Sequence, residues 1–317
     1  MSFRGKKILV TGGAGFIGSH VVDRLLDEGA SVIAIDNFDP FYNGKERNIQ
    51  HNFGREGFHL IRGDILDYDL VSSLVKRVDI IFHEAAQAGV RYCNTNPLKA
   101  HQVNATGTLN VLLAAKQEGS KRIVYASSSS VYGDVKYLPM GEDHPTNPIS
   151  PYGASKLAGE MHCLVFNHVY GLPVVCLRYF SVYGPRGRPD QVIYKFAEAV
   201  AEGRSPTIFG NGSQTRDFTF ISDIVDATLL AAEADSLVGM VFNVGAGSRV
   251  AIKDLVGRVI SKCNSDVEPI FIDSQQGDLA DTEADSTKAR RVLGWKPTVN
   301  LDDGLSLFLD WFREFRS

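Results

Sequence analysis

Tyr152 and Lys156 stand four residues apart in Ser150-Pro151-Tyr152-Gly153-Ala154-Ser155-Lys156. On a helix that spacing puts a phenol and an ammonium on one face. A Tyr hydroxyl is a poor base at neutral pH, because its ordinary pKa is about 10. An ammonium about 4 Å away contributes roughly 4 kcal/mol at an effective dielectric of about 20, or about three pKa units. The expectation is a phenol that Lys156 brings towards working pH, where a general base is most useful. Alone, the two residues would also suit a solvated helical turn. Their meaning comes from the rest of the chain.

Far upstream, Thr11-Gly12-Gly13-Ala14-Gly15-Phe16-Ile17-Gly18 places glycines at 12, 15 and 18. Such a turn between a strand and a helix lets the main chain approach a pyrophosphate at the helix N-terminus, with Phe16 and Ile17 in the contact. A glycine triplet is a weak signal by itself, but here it has the strand and helix that the motif needs. Asp36 ends the next apolar run, where its carboxylate can accept both ribose hydroxyls and would repel a 2′-phosphate. Asn37 follows it, and no Arg stands there, so NAD is expected over NADP. Asp64-Ile65 are placed to hold the adenine edge. Ala85-Ala86 are small where main chain must lie against the cofactor.

The elements that would position these residues alternate. Ile8-Leu9-Val10 leads into a helix near Ile17–Glu28, then the strand Ser31–Ile35. Phe58–Arg62 and Asp79–His83 read as strands with a short helix near Tyr68–Lys76 between them. One long helix is expected over Leu98–Glu118, then the strand Arg122–Ala126. The helix holding Tyr152 runs to about Tyr170, and Pro173–Arg178 is a strand. Continuous apolar strands separated by helices indicate a parallel sheet covered on both faces, a doubly wound α/β nucleotide-binding (Rossmann) fold. After Arg178 the rhythm breaks. Val192–Glu202, Asp223–Ala234, Ile252–Cys263, Ser286–Leu293 and Asp303–Phe315 look helical, and Val241–Val244 is one more strand. Gly184–Asp190 and Phe209–Asp217 read as loops beside a cleft. The division expected is a cofactor domain over residues 1–180, rejoined by 218–245, and a smaller mixed α/β substrate domain from 181–217 and 246–317.

The 317-residue chain is 44% hydrophobic and 22% charged, ordinary for a globular protein, and its net charge of −4 gives no case for nucleic-acid or membrane binding. Neither a signal-peptide core nor a bilayer-spanning stretch is legible. Cys93, Cys163, Cys176 and Cys263 form no metal or redox spacing; reduced thiols in a cytoplasm are expected, with no metal.

Taken together, Gly12-x-x-Gly15-x-x-Gly18, Asp36, Asp64, Ala85-Ala86, Ser128 and Tyr152-x-x-x-Lys156 resemble the extended short-chain dehydrogenase/reductase family. Val131-Tyr132-Gly133, Leu177-Arg178-Tyr179-Phe180, Val182-Tyr183-Gly184-Pro185-Arg186, Thr215-Arg216-Asp217-Phe218 and Leu293-Gly294-Trp295 narrow the resemblance to its nucleotide-sugar epimerase/dehydratase branch, over nearly the whole chain. The resemblance implies that Tyr152 takes the sugar 4-hydroxyl proton as hydride leaves C4. Lys156 would bind the nicotinamide ribose, Ser128 would hydrogen-bond the same hydroxyl, and Tyr179 would lie along the cofactor. Arg216 and Asp278 match residues at the nucleotide diphosphate, where a cationic fork suits phosphate oxygens. One departure is Gln275, where relatives carry a second diphosphate Arg; Arg186, Arg188 and Arg249 are the candidates to replace it. The resemblance also implies a homodimer through Leu98–Glu118 and Tyr152–Tyr170.

Dehydratases and decarboxylases of this branch carry acidic residues just after the Ser/Thr, and here Ser129 and Ser130 stand there instead. Elimination is disfavoured, and epimerisation at C4 of a UDP-sugar fits best. Ser127–Ser130, Gly89-Val90-Arg91 and Gly187-Arg188-Pro189-Asp190 resemble UDP-glucuronate 4-epimerases, and Ser181 replaces the Asn usual in glucose/galactose epimerases. Hydroxyls at Ser129, Ser130 and Ser181 would hold a C6 carboxylate, with Arg91 or Arg188 drawing it in. A neutral UDP-hexose, or a net oxidoreductase, are the alternatives.

Overall fold

The computed structural model describes residues 3–119, 122–233, 235–273 and 281–316. Five near-continuous apolar runs become parallel strands: β1 (Lys7–Thr11), β2 (Ser31–Asp36), β3 (Phe58–Arg62), β4 (Ile80–His83) and β5 (Arg122–Ser128). With β6 (Val174–Tyr179) and the late strand Val241–Val244 they form one seven-stranded sheet. Val241–Val244 lies at one edge beside β6, then come β5, β4, β1, β2 and β3, every pair parallel. The strand order turns back at β1, between β4 and β2. In a doubly wound sheet such a switch point opens a crevice at the strands' C-terminal ends, and ligands bind there.

Two apolar clusters cover the faces of this sheet. On one side the helix Phe16–Asp27 buries Val21, Val22 and Leu25 against β1 and β2. It also reaches the helix Ile221–Leu230, to which Arg24 is tied through Asp226 at 3.0 Å. On the other side Val111, Leu112 and Ala115 pack with Tyr125, Cys163 and Phe166. At about 25 cal/mol per Å² of apolar surface, this two-sided burial is the main stabilising term.

The expected single helix from Leu98 to Glu118 is interrupted. Pro97–His101 passes into a widened π-type turn at Gln102–Gly107 before Thr108–Glu118 resumes the α-helix. Such widening re-aims side chains and is frequent at functional sites. Here it turns Asn104 inward, where its Oδ1 accepts from Gln87 N at 2.7 Å and its Nδ2 donates to Ser155 Oγ at 2.9 Å.

Beyond Tyr179 the chain builds a second, smaller sheet. Ser181–Tyr183, Thr215–Phe220 and Arg249–Ala251 form it with mixed pairing, and Thr207–Phe209 pairs with Ile270–Ile272. The expected loop Phe209–Asp217 is therefore strand at both ends. These strands are only three to six residues long, too short for an alternating pattern to declare itself.

Candidate active site

The glycine turn is main chain packed on main chain. Gly12 adopts φ +67°, which favours glycine, and a Cβ on it would meet the Ala85 backbone at 2.8 Å. A Cβ on Gly18 would sit 2.2 Å from Gly12 O, a clash that cannot be relieved without moving the turn. The Gly12–Ala85 approach also explains why small residues follow β4. Beneath the turn, His83 is held between Thr11 Oγ1 at 2.7 Å and Thr108 Oγ1 at 3.0 Å. Burial, aided by the charge of Lys156, lowers it to about 3, so the ring is neutral.

A long cleft runs along the C-terminal ends of β1, β2, β4 and β5. Its walls include Gly12, Gly15, Phe16, Ile17, Gly18, Asp36, Asn37, Asp64, Ile65, Ala85, Ala86, Tyr152, Lys156 and Tyr179. All the cofactor residues read from the sequence thus share one surface. The Asp36 carboxylate accepts from Ala14 N at 3.2 Å and Phe38 N at 2.8 Å, and Lys45 Nζ lies 3.5 Å away. Asn37 Nδ2 donates to Asp64 at 2.8 Å, which joins the ends of β2 and β3. Lys45 also lines the cleft and was not singled out from the sequence. It begins the short helix Lys45–Ile49, whose five residues are too few to show a period.

Tyr152 and Lys156 are carried by the helix Pro151–Tyr170. Its start is sharp because Ser150 Oγ accepts from Gly153 N at 3.1 Å and Pro151 occupies the first turn. Gly171 ends it at φ +67°. Lys156 is only 2% exposed, and its Nζ lies 4.4 Å from the Tyr125 ring centroid. Among the described residues the ammonium makes no hydrogen bond. A buried ammonium facing the cleft without a partner, above a glycine cradle that a Cβ would fill, fits an anionic, hydroxyl-rich dinucleotide.

The expected electrostatics need one correction. Burial holds the Tyr152 phenol above its ordinary value, and the opposing influences are the Arg188 guanidinium and a hydrogen bond with Ser128. The cation acting most on the phenol is Arg188, because Lys156 is turned towards the Tyr125 ring and Glu84. Burial lowers Lys156 itself to about 8, with the Glu84 carboxylate working against that fall.

A second cleft opens on the other side of Tyr152 and Arg188, which line both. Arg91, Ser181, Lys195, Phe209, Gln214 and Arg216 are among its walls. The Arg91 guanidinium lies over the Phe209 ring at 4.2 Å. Arg216 Nη1 donates to Thr215 O at 2.8 Å. Arg188 is bidentate to Asp190, at 2.8 and 3.1 Å. Burial opposes its charge, but the Asp190 carboxylate more than offsets this and holds the pKa above its ordinary value.

Of the candidates to replace a second diphosphate Arg, Arg186 is bound to Asp23 at 2.7 Å and Arg249 to Glu283 at 3.4 Å. Neither lines the second cleft, whereas Arg91 and Lys195 do. Gln275 and Asp278 lie outside the described residues. Ser128 ends β5, where its Oγ accepts from Ser130 N at 3.1 Å. Ser129 and Ser130 begin the next 3-10 turn and are not among the residues lining either cleft. Arg178, from the motif Leu177-Arg178-Tyr179-Phe180, has a scaffolding task. It grips buried Glu160 at 2.6 Å, and Glu160 in turn accepts from Ser127 Oγ at 2.6 Å, locking β5, β6 and the Tyr152 helix together.

The NAD dependent epimerase/dehydratase family pattern matches residues 8–245. The chain belongs to this family. It is 38% identical to a UDP-glucose 4-epimerase of Mycolicibacterium smegmatis, over 97% of this chain and 98% of that protein. It is also 38% identical to UDP-glucuronate 4-epimerase 4 of Arabidopsis thaliana, over 99% of this chain and 76% of that protein. Among solved structures, a UDP-glucuronic acid 4-epimerase from Bacillus cereus, bound to UDP-glucuronic acid and NAD, superposes with a TM-score of 0.92 at 37% identity. That match covers 98% of this chain and 99% of the other.

Proposed function

We propose that this NAD-dependent UDP-sugar 4-epimerase acts on UDP-glucuronate, inverting C4 to give UDP-galacturonate. The observation that carries the uronate is Arg188, a partly buried guanidinium in the wall common to both clefts and beside the Tyr152 phenol. A cation at that junction suits a sugar whose C4 hydroxyl and C6 carboxylate must approach together. Ser181 adds a hydroxyl in the substrate cleft, and the turn of Ser128, Ser129 and Ser130 stands beside Tyr152. Both uronate and neutral-hexose epimerases occur among the relatives, so the sugar is decided by experiment.

In this reading the dinucleotide lies along the first cleft, with Asp36 on its ribose hydroxyls and the glycine turn against its pyrophosphate. When bound, NAD would be held by the glycine turn, Asp36 and Lys156 and would supply a reversible hydride acceptor for C4. Tyr152, as the phenolate that Arg188 and the Ser128 hydrogen bond favour, takes the 4-hydroxyl proton and, as the phenol, gives it back after the sugar has turned. Lys156 holds the cofactor ribose. Arg216 and Arg91, which line the substrate cleft, are the cations for the diphosphate. A 4-keto uronate is a β-keto acid and loses CO2 readily; the Ser181 hydroxyl in the substrate cleft would help keep its carboxylate near the carbonyl plane and slow that loss.

The protein is also proposed to be a homodimer. Met161, Val165 and Val169 repeat every four residues along the helix Pro151–Tyr170 and are exposed, as are Leu98 and Leu113 on the neighbouring segments. An apolar stripe of this kind suits burial against a second copy. A reducing cytoplasm suits the four free cysteines. The deciding experiment is incubation with a panel of UDP-sugars and NMR of the products. Turnover of UDP-glucuronate well above UDP-glucose supports the reading; efficient UDP-glucose turnover without UDP-glucuronate turnover replaces it with a neutral-hexose epimerase.

A further inference from the structure

Glu84 is a carboxyl in the cofactor cleft that the reaction leaves unexplained. It follows β4 directly, before the Ala85 backbone that packs on Gly12, and it lines the same cleft as Lys156. An anion beside a dinucleotide pyrophosphate works against binding, so its place needs another reason. Its Oε1 accepts from Tyr179 OH at 3.2 Å, and that hydroxyl is also linked to Thr228 Oγ1 at 2.8 Å. The carboxylate is thereby anchored from β6 and from the helix Ile221–Leu230.

Lys156 supplies the reason. Its ammonium is enclosed and has no hydrogen bond among the described residues. The groups around it are Tyr125 on β5, Cys176 and Tyr179 on β6, His83 on β4, and Tyr152 and Cys163 on its own helix, all neutral, together with two carboxylates. Glu160 is already committed to Arg178 and Ser127. Glu84 is held only by a neutral phenol, which leaves its charge to act on Lys156.

We propose that Glu84 is a positioning residue that keeps Lys156 protonated and directed at the cofactor. The proposal rests on the reading that Lys156 grips the cofactor. Burial draws the ammonium down to about 8 even with Glu84 opposing it, and raises Glu84 to about 7. The direction of the effect follows. Without the carboxylate, Lys156 loses its proton at lower pH, so the alkaline loss of cofactor affinity moves in the acid direction. An opposite charge within about 4–6 Å moves a pKa by about one to three units.

The test measures, across neutral to alkaline pH, NAD affinity of the cofactor-stripped protein and turnover of the holoenzyme. The variants are Glu84→Gln, Glu84→Asp and Lys156→Ala. Glu84→Gln should move the alkaline limb of both quantities to lower pH by about one unit or more, and Glu84→Asp, which keeps the charge, should hold it near wild type. A structural role alone would lower activity or melting temperature uniformly without moving the limb, and that result overturns the proposal. A limb displaced as far by Asp as by Gln overturns it too. Unchanged NAD affinity in Lys156→Ala removes the premise about Lys156 as well; weakened affinity there with an unmoved limb in Glu84→Gln defeats the Glu84 proposal alone.

Discussion

The two clefts meet at Tyr152 and Arg188 but are built on opposite plans. The cofactor cleft is made of strand ends and a glycine turn, with main chain as its working surface and single carboxylates at Asp36 and Asp64. Its residues come in chain order from β1 to β6, each just past a strand that the parallel sheet aligns. The substrate cleft is made of long side chains from scattered helices, loops and short strands, with cations at Arg91, Lys195 and Arg216 and an aromatic ring at Phe209. A dinucleotide can be recognised by a fixed backbone shape, which tolerates almost no substitution. A variable sugar nucleotide is met by side chains, which can be exchanged one at a time.

The largest effect is expected where the plans join. Tyr152→Phe should lower turnover by about 10²- to 10⁴-fold while NAD stays bound, since only the proton-accepting oxygen is removed. Near wild-type rates, measured with retained cofactor by absorbance, would move the base elsewhere. Next comes the main-chain plan. Gly18→Ala, whose Cβ would meet Gly12 O at 2.2 Å, should give protein largely free of NAD and less stable to heat. If cofactor content and melting temperature were unchanged, the backbone account of the first cleft would fail.

The side-chain plan predicts a milder outcome. Arg216→Ala should raise KM about 10- to 100-fold with a smaller change in kcat, the loss of one charge-assisted contact. A fall in kcat at constant KM would place Arg216 in the chemistry instead of in binding. The cofactor side should also be the acid-sensitive one. His83 is depressed to about 3 in the folded protein, so its contribution is present above the ordinary His value and is lost as pH falls towards 3. By about pH 5 the loss is about 2 kcal/mol, and His83→Gln should remove that part of the acid dependence in thermal melts. The smallest effect is expected at Ser181, the serine that lines the substrate cleft. Ser181→Ala should raise the pentose by-product of UDP-glucuronate a few-fold, or weaken preference for the uronate, as read by NMR.

Legibility followed the same division. The sheet, the glycine turn, Asp36 and the Tyr152 helix could be read because each rests on local rules: a run of apolar residues, a turn that only glycine fits, a Ser-Pro helix start. The strands Ser181–Tyr183 and Arg249–Ala251 escaped, being too short to show a period. Asn104 escaped because a widened turn inside an otherwise regular helix leaves the apolar pattern almost intact. Lys45 and Lys195 look like ordinary surface lysines until the fold closes around them.

By itself the sequence determined the doubly wound sheet, the dinucleotide site and the phenol–lysine pair, since short-range sterics and burial decide them. It did not determine which cation acts on the phenol. Helical spacing put Lys156 near Tyr152, but the sheet placed Tyr125 and Glu84 beside Lys156 and folded Arg188, from a loop 36 residues further along, against Tyr152 instead. Coulomb energy depends on distance through space and on burial, and both are properties of the packed molecule. The substrate cleft is tertiary for the same reason: its arginines, serine and aromatic ring belong to segments that only the two-lobed packing brings face to face.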